Sequence, residues 1–447
     1  MKVFLGLFIF LTSINYLSLN AQFEDFNKIK ETISVPIPKI KEWTVAIYIN
    51  GKNNVDMFAY KDFNRIETQG SDENINIVAE LGRAQGFMPD ENTPEKWSGV
   101  RRYYIKKDLD PNKINSDIVL DRKDVDMGNW EEAASFIRWA KTNYPAKKFM
   151  FIIWNHGWGW IDPVKEDSNL AGDKSISHDF TTNNYIKTTE LKKIFQKAGK
   201  VDIYASMACF MQMAEVVTEI KDYADIIVGS EEVIQLPSFN WEDFFALLKK
   251  YPKSNEEQLG IFLVDTFKEM YQRPEYFQLL VEGKYGTQLS AIRSSTMNKF
   301  LTSIKNFSNI IPKLKDIKAI SKAKKDVLRF EVGELDTDPD KLISFYADIY
   351  NFLELIDKYY SDKNDFTYFE FQKEFLNFKK IIKELVIKNV YLNKDRTGKD
   401  FSNTHGISMH IPGAKGHLID YYQTYNELEF EKITRWSDSI KFLENIE

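Results

Sequence analysis

The sequence predicts an α/β/α sandwich built on a mostly parallel central sheet, followed by a largely helical C-terminal part. Three observations carry this expectation. Between residues 44 and 232, short apolar runs alternate with amphipathic stretches, the pattern of parallel strands joined by helical crossovers. One run, KKFMFIIWNHG at 147–157, is nearly continuous in apolar residues, as a strand covered on both faces must be. From about 240 to 395 the apolar spacing turns helical, and HGISMHIP at 405–412 then reads as one more strand before a terminal helix.

The elements follow in order. TVAIYING (44–51) is β-branched and apolar and ends in Asn-Gly, so it reads as a strand and a turn. In 54–67, Val55, Phe58, Ala59, Phe63 and Ile66 recur at helical spacing. INIVAELGR (75–83) is a strand, and RRYYIKK (101–107) is a strand at the sheet edge. NWEEAASFIRWAKTNYPA (129–146) is an amphipathic helix stopped by Pro145. After the 147–157 run come a helix at 188–199, a strand at 201–208, a helix at 210–223 and a strand at 224–232.

At the N-terminus, Lys2 precedes the apolar run Val3–Leu11, and small and polar residues lead to Ala21. That is the pattern of a signal peptide over residues 1–21, with an apolar run too short to span a bilayer. Residues 22–42, polar and containing SVPIP, read as a linker or short pro-segment. The expected division is then a catalytic α/β domain at 43–250 and a mainly helical region at 251–447. No later stretch is apolar enough for a membrane span. A net charge of −6, with Lys and Arg interleaved among acids, gives no electrostatic case for nucleic acid.

The chemistry is expected at the carboxyl ends of the central strands, where open parallel sheets collect their functional groups. The 147–154 run delivers Asn155, His156 and Gly157, and the 201–208 run delivers Cys209. Cys209 is the single cysteine of the chain, so no internal disulfide can engage it. If the two strands are neighbours, a thiol and an imidazole meet at one edge, the pairing that nucleophilic acyl transfer needs. Cys209 also precedes the expected helix 210–223, whose N-terminus would favour a thiolate. The backbone N–H groups of Gly157 and Cys209 could hold an oxyanion.

These residues carry a family resemblance. WTVAIYINGKNNVDMFAYKDFNRIE, DMGNWEEAASFIRWAKTNYPAKKFMFIIWNHGWGW, MACFMQMAEVVTEIKDYADIIVGSEEV and GISMHIP resemble the clostripain family of cysteine peptidases, in the clan of caspases and gingipains. The resemblance spans roughly 43–415. It implies a caspase-like fold and an exported cysteine endopeptidase acting on proteins or peptides. It places His156 at the catalytic histidine, Cys209 at the nucleophile and Gly157 at the oxyanion glycine. It implies no cofactor for the chemistry, although some relatives use calcium; Asp162, Asp167, Asp173 and Asp179 are candidate oxygen ligands without the spacing of a calcium loop. It also implies activation by a cut between the His and Cys motifs, with Lys165, Lys174 and Lys187 as candidate positions.

One position departs from the family. The acid that usually sits two residues before the cysteine, on the floor of the pocket for the P1 residue, is Met207 here. A thioether cannot offset the desolvation of a guanidinium. Met207, Ser230, Glu231 and Glu232 are expected to line that pocket; either Glu231 or Glu232 supplies the charge instead, or P1 is apolar or uncharged. Two other readings remain open from the residues. One is a peptidase-like binding protein without turnover at the cell surface, suggested by Met207. The other is a carbohydrate-active or adhesive protein, suggested by the aromatic content. Of the tryptophans in WNHGWGW, Trp154 reads as core and Trp158 and Trp160 as cleft wall. Residues five apart on a strand face opposite sides, so His405 and His410 are not expected to share a metal.

Overall fold

The computed structural model describes residues 40–87, 95–161, 175–283, 286–332, 343–392, 400–413 and 422–446. The expected signal peptide and all but the last three residues of the expected linker lie outside them. Lys41–Glu447 forms one compact unit.

Twelve strands are described: β1 (Lys41–Gly51), β2 (Ile75–Arg83), β3 (Gly99–Tyr104), β4 (Asp117–Arg122), β5 (Ala146–Trp154), β6 (Val201–Met207), β7 (Ala224–Gly229), β8 (Thr287–Arg293), β9 (Arg329–Val332), β10 (Ile343–Asp348), β11 (Val386–Leu392) and β12 (Ser408–His410). Nine form one sheet in the order β11-β8-β7-β6-β5-β1-β2-β3-β4, and β12-β10-β9 form a small second sheet. The five central strands, β7-β6-β5-β1-β2, are mutually parallel. Antiparallel strands extend both edges.

Helices cover both faces. Strand β1 shows the division: Ala46 and Tyr48 face one core, and Val45, Ile47 and Ile49 face the other. The first core takes Phe136 from α2 (Trp130–Asn143), Ile194 from α3 (Leu191–Ala198) and Val216 from α4 (Ala214–Ile220). The second takes Phe63 from α1 (Asp56–Glu67), Phe244 from α5 (Trp241–Lys250) and Leu263 from α6 (Glu256–Gln272). All six side chains are fully buried, and each contributes on the order of 2 kcal/mol by leaving water. The period of β1 switches faces with every residue, so its continuous apolar run is explained by a core on each side.

The structure differs from the sequence expectation in four places. Strand β3 is not the edge; β4 lies outside it and is largely exposed. Strands β8 and β11 join the main sheet from within the region expected to be helical, so the boundary drawn at residue 250 runs through a shared sheet. Strands β9 and β10 likewise come from that region, which otherwise carries the expected long helices. Finally, the helix expected at 210–223 begins only at Ala214. The backbone before it is tied sideways: Phe210 N donates to Glu232 O at 3.3 Å, Gln212 N to Ser230 O at 2.9 Å, and Gln212 O accepts from Ser408 N at 3.2 Å. Groups committed to neighbouring segments cannot close helical turns. Phe210 accordingly has φ of 61°.

Candidate active site

Parallel neighbours deliver their ends to one edge, and β1, β5 and β6 are adjacent in that order. The register sets Ile49 beside Trp154 and Trp154 beside Met207. Asn155 N then donates to Met207 O at 3.2 Å. The residues that follow the three strands, Lys52–Val55, Asn155–Gly157 and Ala208–Phe210, therefore emerge together.

Between them lies a cleft of about 250 Å³, with His156, Gly157 and Cys209 all in its wall. His156 and Cys209 are half-buried. Gly157 packs onto the cysteine backbone: a β-carbon there would stand 2.5 Å from Cys209 O and 3.0 Å from Cys209 N. Only glycine lets β5 and β6 end this close. The structure thus brings the three expected catalytic residues to one place. It does not place Cys209 at a helix N-terminus. The helix starts five residues later, beyond the reach of a helix-end effect that fades within one turn.

The cleft floor is apolar, with Val55, Trp154, Met207 and Leu236. Met207 is 4% exposed and ends β6. The acid behind this floor is already matched. Asp62 accepts from Trp154 Nε1 at 2.7 Å and from Ser238 Oγ, and it pairs with Arg65 at 2.9 Å. Trp154 is buried as expected but also forms floor. Trp158 lines the cleft, whereas Trp160 is fully buried against Phe345, His410 and Tyr425.

Ser230, Glu231 and Glu232 are not among the residues lining the cleft; Val233, Ile234 and Leu236 are. Ser230 Oγ donates to Gln288 O at 2.7 Å, and Glu231 N donates to Gln288 Oε1 at 2.7 Å. The Glu231 carboxyl faces away, accepting from Gly406 N at 3.0 Å. Burial, and then the neighbouring Asp348 carboxylate, hold its pKa well above the usual range. Glu232 Oε1 accepts from Val233 N at 2.7 Å. The segment fastens β7 to β8 and to the Cys209 turn.

A residue the sequence reading missed stands beside His156. Asn54 Oδ1 lies 2.7 Å from His156 Nε2. The Asn-Asn after β1 was visible, but nothing in its spacing relates it to a histidine 102 residues away. The surrounding loops are cross-braced by amides. Asn155 Nδ2 donates to Asn50 O at 2.6 Å, and Asn155 Oδ1 accepts from His178 N at 3.1 Å. Asn53 Nδ2 donates to His178 O at 2.7 Å, and Asn50 Nδ2 to Ser177 O at 3.0 Å.

Among the described residues no group of three or more His, Cys, Asp and Glu is placed to hold a metal ion. Of the candidate calcium ligands, Asp179 does not fit. It is fully buried, pairs with Lys52 at 2.8 Å, and accepts from Met127 N at 3.1 Å and Thr181 N at 2.9 Å. Asp162, Asp167 and Asp173 lie outside the described residues, as do the candidate cut positions Lys165 and Lys174. Lys187 is exposed, just before the short turn that leads into α3. His405 and His410 are not joined: His405 pairs with Asp348 at 3.1 Å, while His410 is fully buried, which lowers its pKa to about 3.

A histidine and a cysteine thus stand at the ends of adjacent parallel strands, in a sheet sandwiched by helices, and share one cleft, the arrangement that acyl transfer by a thiol requires. The Clostripain family profile of C11 peptidases matches residues 47–443, and the chain belongs to that family. Clostripain of Hathewaya histolytica is 27% identical over 239 residues, which cover 49% of this chain and 44% of that one. This chain thus aligns with less than half the length of that curated relative. Two solved structures share the fold. An inactive zymogen C11 protease from Parabacteroides distasonis superposes with a TM-score of 0.64 at 16% identity, over 89% of this chain and 99% of that chain. A secreted C11 cysteine protease from Bacteroides thetaiotaomicron, bound to an irreversible peptide inhibitor, gives 0.61 at 19% identity, over 89% and 99%.

Proposed function

We propose that this chain is an exported cysteine endopeptidase that hydrolyses protein or peptide substrates through Cys209 and His156, with an apolar or uncharged residue preferred at P1. The observation that supports it most is the seating of Gly157 against the Cys209 backbone inside a shared cleft. His156 takes the thiol proton, and the resulting imidazolium stabilises the thiolate. The thiolate attacks the scissile carbonyl carbon. The N–H groups of Gly157 and Cys209 receive the oxyanion, a contribution of about 3 kcal/mol per donor to the transition state. His156 then returns the proton to the leaving amine nitrogen as the C–N bond breaks. It next deprotonates the water that hydrolyses the acyl-enzyme. These steps use only the chain's own groups.

The P1 reading rests on the apolar floor. Met207 and Leu236 offer a P1 side chain dispersion contacts and no carboxylate, and Asp62 behind them is matched by Arg65. Export rests on the N-terminal sequence pattern alone. Among the described residues no helix is long and apolar enough to cross a membrane.

The test is cleavage of a mixed peptide library by the purified protein, with and without calcium, beside Cys209→Ala and His156→Ala. Turnover by the parent alone, with apolar P1 residues enriched, is the expected result. Equal cleavage by parent and Cys209→Ala would overturn the thiol mechanism. Dominant Arg or Lys at P1 would overturn the specificity.

A further inference from the structure

We infer that Asn54 is a positioning residue for the reaction, holding His156 in the tautomer whose Nδ1 carries the working lone pair. The inference rests on the His156–Cys209 reading above. Asn54 Oδ1 lies 2.7 Å from His156 Nε2. An amide oxygen accepts, so this contact favours the tautomer with hydrogen on Nε2, in which Nδ1 takes and returns protons.

Asn54 is presented by a stiff turn. Lys52 N donates to Asn50 Oδ1 at 2.9 Å, Val55 N donates to Asn53 Oδ1 at 3.0 Å, and Asn53 Nδ2 reaches across to His178 O. The backbone preceding His156 is held through Asn155, which bonds to Asn50 and to His178 on the same two segments. The acceptor and the ring are thus anchored to common supports. Their separation is set by the ends of β1 and β5, which are direct neighbours.

The choice of an amide has a chemical consequence. Oδ1 accepts from Nε2–H whether the ring is neutral or protonated, so the ring keeps its orientation while Nδ1 cycles its proton. A carboxylate at this place would hold the ring equally well but would also favour the imidazolium and raise its pKa. Asn54 itself is exposed, so its side chain does little for the core.

The test compares the parent with Asn54→Ala and Asn54→Asp. It reads kcat and KM on a good peptide substrate, and the pH dependence of Cys209 alkylation by iodoacetamide, which needs no turnover. Asn54→Ala should lower kcat about tenfold or more, with KM within twofold. Asn54→Asp should keep kcat within about threefold, and its acid limb should move to higher pH by roughly half a unit or more. The inference falls if Asn54→Ala retains kcat within twofold, or if Asn54→Asp loses as much as Asn54→Ala. Turnover that survives in Cys209→Ala would instead sink the dyad itself. Loss in Cys209→Ala with full activity in Asn54→Ala would sink the Asn54 inference alone.

Discussion

The α-carbon of Gly157 faces the backbone of Cys209 so closely that a single methyl group would stand 2.5 Å from the cysteine carbonyl oxygen. The obstruction is backbone, so it cannot be relieved by a rotamer change. Gly157→Ala should push the two strand ends apart, displace both proposed oxyanion donors and lower kcat/KM about a hundredfold or more. Overpacking should cost about 1–3 kcal/mol of stability. Steady-state assay with urea unfolding of the same preparation checks both. An active variant would remove Gly157 from the mechanism.

Met207 is nearly sealed in the cleft floor. Met207→Asp would place a carboxylate there without a partner, which should destabilise the free protein by about 3 kcal/mol. A guanidinium at P1 would supply the missing partner. Arg and Lys substrates should therefore gain relative to apolar ones, and a basic P1 inhibitor should raise the variant's Tm more than the parent's. Competition assays in a mixed P1 library measure the shift; an unchanged P1 ranking would take Met207 out of the pocket.

Glu231 is fully buried, and burial first and then the neighbouring Asp348 carboxylate raise its pKa well above the usual carboxylate range. Its carboxyl accepts from Gly406, away from the cleft. Glu231→Gln should consequently leave the P1 preference unchanged. A gain or loss of selectivity for basic residues would contradict the structural role described above.

Glu215 on α4 is fully buried, accepting from His410 N at 2.9 Å and Tyr425 OH at 3.2 Å, and burial raises its pKa to about 7. The folded state therefore holds this proton more tightly than the unfolded chain, where the value is near 4.5. The sign follows: stability from this group is full below about pH 4.5, falls as pH rises towards 7, and levels off above it. The loss amounts to about 3 kcal/mol. Glu215→Gln cannot ionise. The parent's stability relative to this variant should drop by about that amount between pH 5 and pH 8 in urea titrations. A constant difference across that range would show that Glu215 does not titrate there.

Much of the fold could be read from the chain. Continuous apolar runs and helical apolar spacing located β1, α1, β2, α2, β5, α3, β6 and β7 to within a few residues, because central strands are covered on both faces and helices on one. Strands β8, β9, β10 and β11 were not legible. Two of them, β8 and β11, pair with each other from positions distant in sequence, as in the register of Val390 with Leu289. The start of α4 failed for a related reason. Residues 210–213 have helical composition, yet bonds to Ser230, Glu232 and Ser408 take up the backbone groups a helix would use.

The candidate site divides along the same line. By itself the sequence determined which residues stand at strand ends: His156 and Gly157 after one apolar run, Cys209 after another. That is a property of chain order and periodicity, and parallel pairing then brings such ends to one edge. Tertiary structure alone decided what each side chain meets there. It set Asn54 against the His156 ring and turned Ser230 and Glu231 towards Gln288 and Gly406. It left Met207 and Leu236 as floor. A strand presents a residue to one face or the other, but the partner on that face comes from segments far along the chain. Only packing selects which of them arrives within hydrogen-bonding distance.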